Sequence, residues 1–310
     1  MPVNHIEARQ FGQLDLLARQ VVEGFITGLH QSPFHGFSVE FAEHRIYNAG
    51  ESTRHIDWKL YGRTDKLFVK RFEEETNLRC QIIIDNSSSM HYPELNKEDI
   101  KKGLLNKARF SVMSAAALTY LLRRQRDAVG LSVFSDTLEV NTQARSTPVH
   151  QKLLFAELEK IFLTEHKNKK TSAASTLHLI AESIPKRSLV VIFSDMIETN
   201  RGEADELFGA LQHLKHNKHE VILFHVSDHQ TEEAFLYDNR PYEFIDVETG
   251  EKIKTHSAEI RDLYLSSYGE FKKELKLKCA QYKIDFVEAD IRQGYKQVLL
   301  PYLLKRERMF

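Results

Sequence analysis

Apolar runs recur rhythmically along the last two thirds of the chain: QIIID (81–85), AVGLSVFS (128–135), SLVVIFSD (188–195), EVILFHVSD (220–228) and YKIDFVEAD (282–290). Stretches with helical patterning separate them, over 101–126, 149–163, 173–185, 203–217 and 257–280, and a last one covers 294–308. Near-continuous apolar strands alternating with helices predict an α/β fold with a mainly parallel sheet covered on both faces. DTLEVNT (136–142) follows its predecessor almost without a gap, which predicts an antiparallel edge strand. Gly250 within YEFIDVETGEKIKT marks a β-hairpin insertion near 237–256.

The first quarter of the chain has a different texture. Phe11, Leu14, Leu16, Leu17, Val21, Val22, Phe25 and Ile26 are spaced as one helix face within 5–29. From 37 to 79 the segments are short and rich in Thr, Phe, Val and Tyr, and KLFVKRF alternates as a half-buried strand does. This predicts an accessory region over 1–76, a helix plus a small β-rich part, ahead of the α/β domain at 77–310.

Charge and composition narrow the function classes. Lys plus Arg is 43 and Asp plus Glu is 44, a balance that disfavours coating nucleic acid or an anionic membrane. Cys80 and Cys279 form no framework and no metal-thiolate spacing, so a reducing compartment is expected. The opening MPVNHIEARQFGQ has no apolar core of a signal peptide, and no uninterrupted apolar run reaches the length of a membrane span. A cytoplasmic protein is the expectation.

Candidate chemistry lies at the strand ends, where ligands of open α/β sheets bind. The run III delivers Asp85, Ser87 and Ser89; SLVVIFSD delivers Ser194 and Asp195; the loop 164–172 offers Thr164, Thr171 and Ser172. Carboxylates and hydroxyls are hard oxygen donors, which suit Mg²⁺ or Mn²⁺. Such a set leaves a coordination position for water or an incoming carboxylate. The plainer alternative makes the same residues helix N-caps.

DNSSSM after III resembles the metal-ion-dependent adhesion site of von Willebrand factor type A domains. The resemblance implies a doubly wound, Rossmann-like three-layer α/β fold. In it Asp85, Ser87 and Ser89 match the first metal loop and Asp195 the third. The second loop departs from the usual Gly-Gly-Thr. TSAASTLHLIAESIPKRSLVVIFSD aligns without gaps and selects Thr171, with Thr176 as second choice. Upstream, YNAGESTRHIDWKLYGRTDKLFVKRFEEETN resembles the signature of the bacterial "domain of unknown function 58" family. Gly50, Arg54, Ile56, Asp57, Trp58 and Arg63 match it, with Gly62 where Ala is usual. Arg54, Asp57, Arg63 and Glu73 to Glu75 could form a semi-buried ion-pair network around Trp58, and a partner-binding role for Trp58 stays open.

What the resemblance implies is a non-enzymatic, Mg²⁺-dependent protein interaction module. Its partner would be a MoxR-type AAA+ ATPase, in chaperone-like maturation or remodelling of other proteins. A metal-dependent phosphoester hydrolase and a degenerate metal-free scaffold are the alternatives. Other chemistry is poorly supported. His213, His216 and His219 share a helix face without an HExxH pattern and read as a solvated face. No Gly-x-x-x-x-Gly-Lys-Ser/Thr and no Gly-x-Ser-x-Gly occurs, and Ser87 stands where an aspartyl phosphatase places its second Asp. KNKK (167–170) and KRER (305–308) read as solvated basic ends.

Overall fold

Residues 13–30, 44–46, 58–65, 67–70, 78–163, 173–197, 201–247 and 250–307 are described by a computed structural model. They belong to two compact units, one of Met1–Phe25 with Leu78–Phe310 and the other of Ile26–Asn77. Helix α1 (Gln13–His30) contributes its residues up to Phe25 to the larger unit, where Leu14, Leu17, Ala18, Val21 and Val22 are buried. Those positions repeat at three and four residues, the spacing that puts one stripe of a helix against a core.

In the smaller unit β1 (His44–Ile46) pairs antiparallel with β2 (Phe68–Lys70), and α2 (Trp58–Thr64) lies between them in sequence. The region predicted as β-rich therefore contains a helix as well. WKLYGRT has one β-branched residue, at its end, and Leu, Lys and Arg are good helix formers. Trp58 opens α2, and Arg63 is exposed near its end, so the expected semi-buried setting does not hold for Arg63. Arg54, Asp57 and Glu73 to Glu75, the other members of the expected network, lie outside the described residues.

The larger unit is built on β3 (Arg79–Asp85), α3 (Lys97–Lys101), α4 (Lys107–Arg124), β4 (Ala128–Phe134), β5 (Leu138–Asn141) and α5 (Pro148–Leu163). After these come α6 (Ala173–Ser183), β6 (Leu189–Ser194), α7 (Arg201–His216), β7 (Glu220–Ser227), β8 (Pro241–Ile245), β9 (Lys252–His256), α8 (Ser257–Gln281), β10 (Asp285–Asp290) and α9 (Lys296–Glu307). Six strands form one mixed sheet in the order β10-β7-β6-β3-β4-β5, all neighbours parallel except β4 with β5. The mainly parallel sheet expected from the apolar runs is thus present, with the short antiparallel strand at its edge. β8 and β9 pair only with each other among the described residues, and Gly250 has the positive φ their connection needs.

Alternation along the strands assigns two apolar faces. Ile83, Val190, Ile192, Val221 and Leu223 share a core with Leu177 and Ile180 of α6, Leu207, Leu211 and Leu214 of α7, and Leu275 of α8. The intervening Ile82, Ile84, Val191, Phe193, Ile222 and Phe224 are equally buried, and α4 packs across β3, β4 and β7. Phe193 and Phe224 stack there with centroids 5.0 Å apart. Burying each large side chain contributes on the order of 1.5–3 kcal/mol.

The helix expected over 101–126 starts late: a separate short helix, α3, occupies Lys97–Lys101, and α4 begins only at Lys107. Gly103, with φ of 78°, ends the first. Asn106 then caps the second, its Oδ1 accepting the Arg109 N–H at 2.8 Å. That break fixes Lys107 as the first residue of α4.

Two polar devices hold the sheet together. Gln81, buried in β3, donates through Nε2 to Ser132 Oγ at 2.8 Å and to the Thr142 carbonyl at 3.1 Å. Gly130 leaves the room it needs. A Cβ there would run into the Gln81 amide and meet the Thr142 carbonyl at 2.6 Å and the Ala144 nitrogen at 2.9 Å. Gly130→Ala is therefore expected to cost about 1–3 kcal/mol, read as a lower urea midpoint at constant slope. At the opposite end from the strand tips, Asp127 Oδ1 accepts the Leu78 N–H at 3.1 Å and Oδ2 binds Arg306 of α9. The Tyr302 hydroxyl, also on α9, donates to Gln125 Oε1 at 3.3 Å.

Candidate functional site

The first strand of the six-stranded sheet, β3, lies between β4 and β6, so the strand order reverses between those neighbours. A crevice opens beyond the carboxyl ends at such a point. β3 is buried from Cys80 to its last residue, Asp85, whose side chain is fully enclosed. A buried carboxylate must be bonded. Asp85 Oδ1 accepts the Ser87 N–H at 2.9 Å and Oδ2 accepts the Ser194 hydroxyl at 2.6 Å, tying the tip of β3 to the tip of β6. Ser194 Oγ in turn accepts the Met196 N–H at 2.9 Å.

Ser87 and Ser89 stand with their hydroxyl oxygens 3.1 Å apart, and the Ser89 hydroxyl is close enough to Asp195 to favour its ionised form. The first and third loops therefore converge: Asp85, Ser87, Ser89 and Asp195 form one cluster. Between them Asn86 points elsewhere, donating to Glu139 Oε2 at 2.9 Å and facing His91 Nε2 at 3.1 Å. Thr171 lies outside the described residues. Thr176 is buried on α6, and no hydrogen bond among the described residues ties it to the cluster.

Two further charged groups complete the site, and neither was singled out in the sequence. Lys107 is fully buried, its ammonium donating to Asp195 Oδ2 at 2.8 Å and to Glu232 Oε1 at 2.5 Å. Glu232 sits in a π-helical turn, His229–Glu233, that follows β7, and its Oε2 accepts the Asp228 N–H at 2.7 Å. A signal for Lys107 did exist. The helix it opens, KARFSVMSAAALTYLL, is apolar or small on every side, which marks it as enclosed.

Burial and mutual charge set the protonation states. Burial, reinforced by the charge of Asp195, pushes the Asp85 carboxyl up to about 7 against the Ser194 and Ser87 hydrogen bonds. Burial also works against ionisation of Asp195, but Lys107 outweighs it and holds that carboxyl below the usual range. The Lys107 ammonium is penalised by burial, yet Asp195 and Glu232 together keep it firmly charged. Burial raises Glu232 in spite of Lys107. Fully ionised, three carboxylates face one ammonium, so the site is short of positive charge.

A divalent cation suits that deficit and that donor set, which is oxygen throughout. Ser87, Ser89, Asp85 and Asp195 would hold it. Hydroxyls make up half of these donors, and no group of three or more His, Cys, Asp or Glu gathers as a metal cluster among the described residues.

The three histidines predicted as one solvated face separate instead. His213 Nδ1 meets His178 Nδ1 of α6 at 3.0 Å. His219 lies beyond the end of α7, buried, where its Nδ1 accepts the Ser188 N–H at 3.2 Å.

Residues 43–274 match the family model described as "Protein of unknown function DUF58". The chain belongs to the DUF58 family. The match runs from β1 into α8 and includes every residue of the charged cluster. Uncharacterized proteins from Mycobacterium bovis and Mycobacterium tuberculosis are 25% identical to this DUF58 member over 138 residues, 44% of this chain and 41% of theirs. Among solved structures, the conserved hypothetical protein BatB from Bacteroides thetaiotaomicron aligns with a TM-score of 0.43 at 13% identity. That alignment covers 75% of this chain and 98% of BatB. An aerotolerance-related membrane protein from Bacteroides fragilis gives 0.41 at 12% identity, over 74% and 99% of the two chains.

Proposed function

We propose that this DUF58 protein is a Mg²⁺-dependent protein interaction module on a doubly wound sheet of the von Willebrand factor type A kind. The observation that supports it is the convergence of Asp85, Ser87, Ser89 and Asp195 at the point where the strand order reverses. Ser87 and Ser89, with Thr171 from the second loop, would contact the ion. Asp85 and Asp195 would bind it directly or orient its waters. The bound ion supplies a Lewis-acidic position that a partner's Glu or Asp carboxylate can fill. A MoxR-type AAA+ ATPase, or its client, is the partner that the family resemblance suggests, with the pair acting in maturation or remodelling of other proteins.

The chain's own residues already favour that use. Ser194 holds Asp85 in one orientation, so that carboxylate is fixed before any ion arrives, whereas the Lys107 ammonium on Asp195 competes with the ion. Calorimetric titration of Mg²⁺ into the wild type and Asp85→Ala at pH 7.5 tests the reading. One equivalent should bind to the wild type, and the variant should bind at least about tenfold more weakly. Equal binding to both, or heat from neither, would show the site as drawn to be wrong.

A further inference from the structure

Two hydrogen-bond routes leave the candidate metal loops and end on the same stretch of chain, residues 228–237. One runs from Asp195 through the Lys107 ammonium to Glu232, and from Glu232 Oε2 to the Asp228 N–H. The other starts at Ser89, which opens the turn Ser89–His91; the next residue, Tyr92, shares a hydroxyl–hydroxyl hydrogen bond of 3.0 Å with Tyr237. Tyr237 packs edge-on against Phe235, Tyr242 and Phe244, at centroid distances of 4.8, 5.4 and 5.6 Å. Tyr242 and Phe244 belong to β8, so the stretch leads directly into the β8–β9 hairpin.

The stretch has other holds: Glu233 Oε1 accepts the Ser227 hydroxyl at 2.7 Å and the Lys272 ammonium at 2.9 Å, and Phe235 packs on Tyr264 with centroids 4.8 Å apart. Asp228 caps the π-helical turn by accepting the Gln230 N–H at 3.2 Å, and both its oxygens are held by Arg292, at 2.6 and 2.8 Å. Glu232 is the only residue of the stretch whose side chain reaches, among the described hydrogen bonds, the ammonium that also binds Asp195.

We propose that occupation of the cation site loosens residues 228–237 and with them the base of the β8–β9 hairpin, so that the hairpin reports whether the site is filled. This inference rests on the Mg²⁺ reading of the site. Its cause is electrostatic. Lys107 and a divalent cation compete for one carboxylate, and like charges that close repel in an enclosed setting. The Lys107 side chain is 1% exposed and that of Glu232 14%, so the way out for the ammonium lies on the Glu232 side. Displacing Glu232 breaks its bond to the Asp228 N–H and leaves the turn to its backbone hydrogen bonds and the Glu233 ties.

Hydrogen–deuterium exchange on the full chain, with and without saturating Mg²⁺, tests this alongside calorimetry on the same samples. In the wild type, amides of 228–237 should exchange at least about threefold faster with Mg²⁺. Lys107→Met should still bind Mg²⁺ yet show no such acceleration. Glu232→Gln, which keeps the shape and the Lys107–Asp195 contact, serves if that variant does not fold, and it too should lose the response. Mg²⁺ binding with unchanged or slower exchange in the wild type overturns the coupling alone. So does equal acceleration in the variants. Absence of Mg²⁺ binding overturns the metal reading and the coupling together.

Discussion

Lys107→Met should lower the unfolding free energy by about 3–5 kcal/mol, the usual cost of removing one partner from a buried ion pair. Met matches the length and bulk of the Lys stem, so the loss reports charge and not a cavity. In its absence Asp195 and Glu232 face each other without a counter-ion, both largely enclosed. Urea unfolding at pH 7 in the presence of a chelator should show a lower midpoint with an unchanged slope. Mg²⁺ should recover part of the loss and bind the variant at least tenfold more tightly than the wild type. At an effective dielectric of 20, unit charges 4 Å apart interact by about 4 kcal/mol, and the ammonium opposes the ion in the native site. A loss under about 1 kcal/mol would mean that water reaches these carboxylates.

His225 should give the fold an acid limb. It is fully buried near the end of β7, both ring nitrogens lack hydrogen-bond partners among the described residues, and its ring lies 5.6 Å from that of Phe286 and 6.5 Å from that of Phe271. Burial lowers its pKa to about 4; Asp195 and Glu233 oppose the shift, whereas Lys272 and Lys107 add to it. The unfolded chain takes the proton near pH 6.5 and the native state only near 4. Between those values the unfolded state binds more protons, so stability is full above 6.5 and falls as the pH drops towards 4. The loss is on the order of 3 kcal/mol and levels off below that. Asp85 acts in the opposite sense: its raised pKa makes the native state hold a proton that the unfolded chain releases, so its contribution falls as the pH rises from about 4 to 7. The wild-type profile alone understates both. The difference in stability between wild type and His225→Phe, followed from pH 7 to 4 with chelator, isolates the histidine. A flat difference would show that His225 charges without cost.

The contrast between these residues shows what a sequence can carry. IIID and VVIFSD were legible because a parallel strand buried on both faces must be apolar at every position, so its first carboxylate marks its end. Asp85 and Asp195 meet because their strands are neighbours, and the alternation of strands with helices already requires that kind of neighbourhood. Glu232 was not legible in this way, and Lys107 only through the enclosed helix that it opens. A lysine at a helix start is ordinarily solvated, and what encloses this one are Asp195, 88 residues away, and Glu232, 125 away. The helical break ahead of Lys107 depends on Gly103 and Asn106, turn and cap residues that helical patterning alone passes over. Trp58 and Arg63 belong to the signature that resembles the family, and that signature says nothing of the helix they occupy.

The fastening at Asp127 has a consequence for synthesis. It joins the start of β3 at Leu78 to Arg306, so the sheet's far end is secured only when the last helix has been made. A ribosome adding about 5–20 residues per second needs on the order of tens of seconds to cover that interval. Until β6 is complete at Ser194, the run Ile82–Ile84, six-sevenths of whose strand is enclosed in the finished protein, lacks one of its two strand neighbours. The nascent chain thus carries an apolar strand early and its clasp late, and its yield in a cell depends on what shields that strand in between.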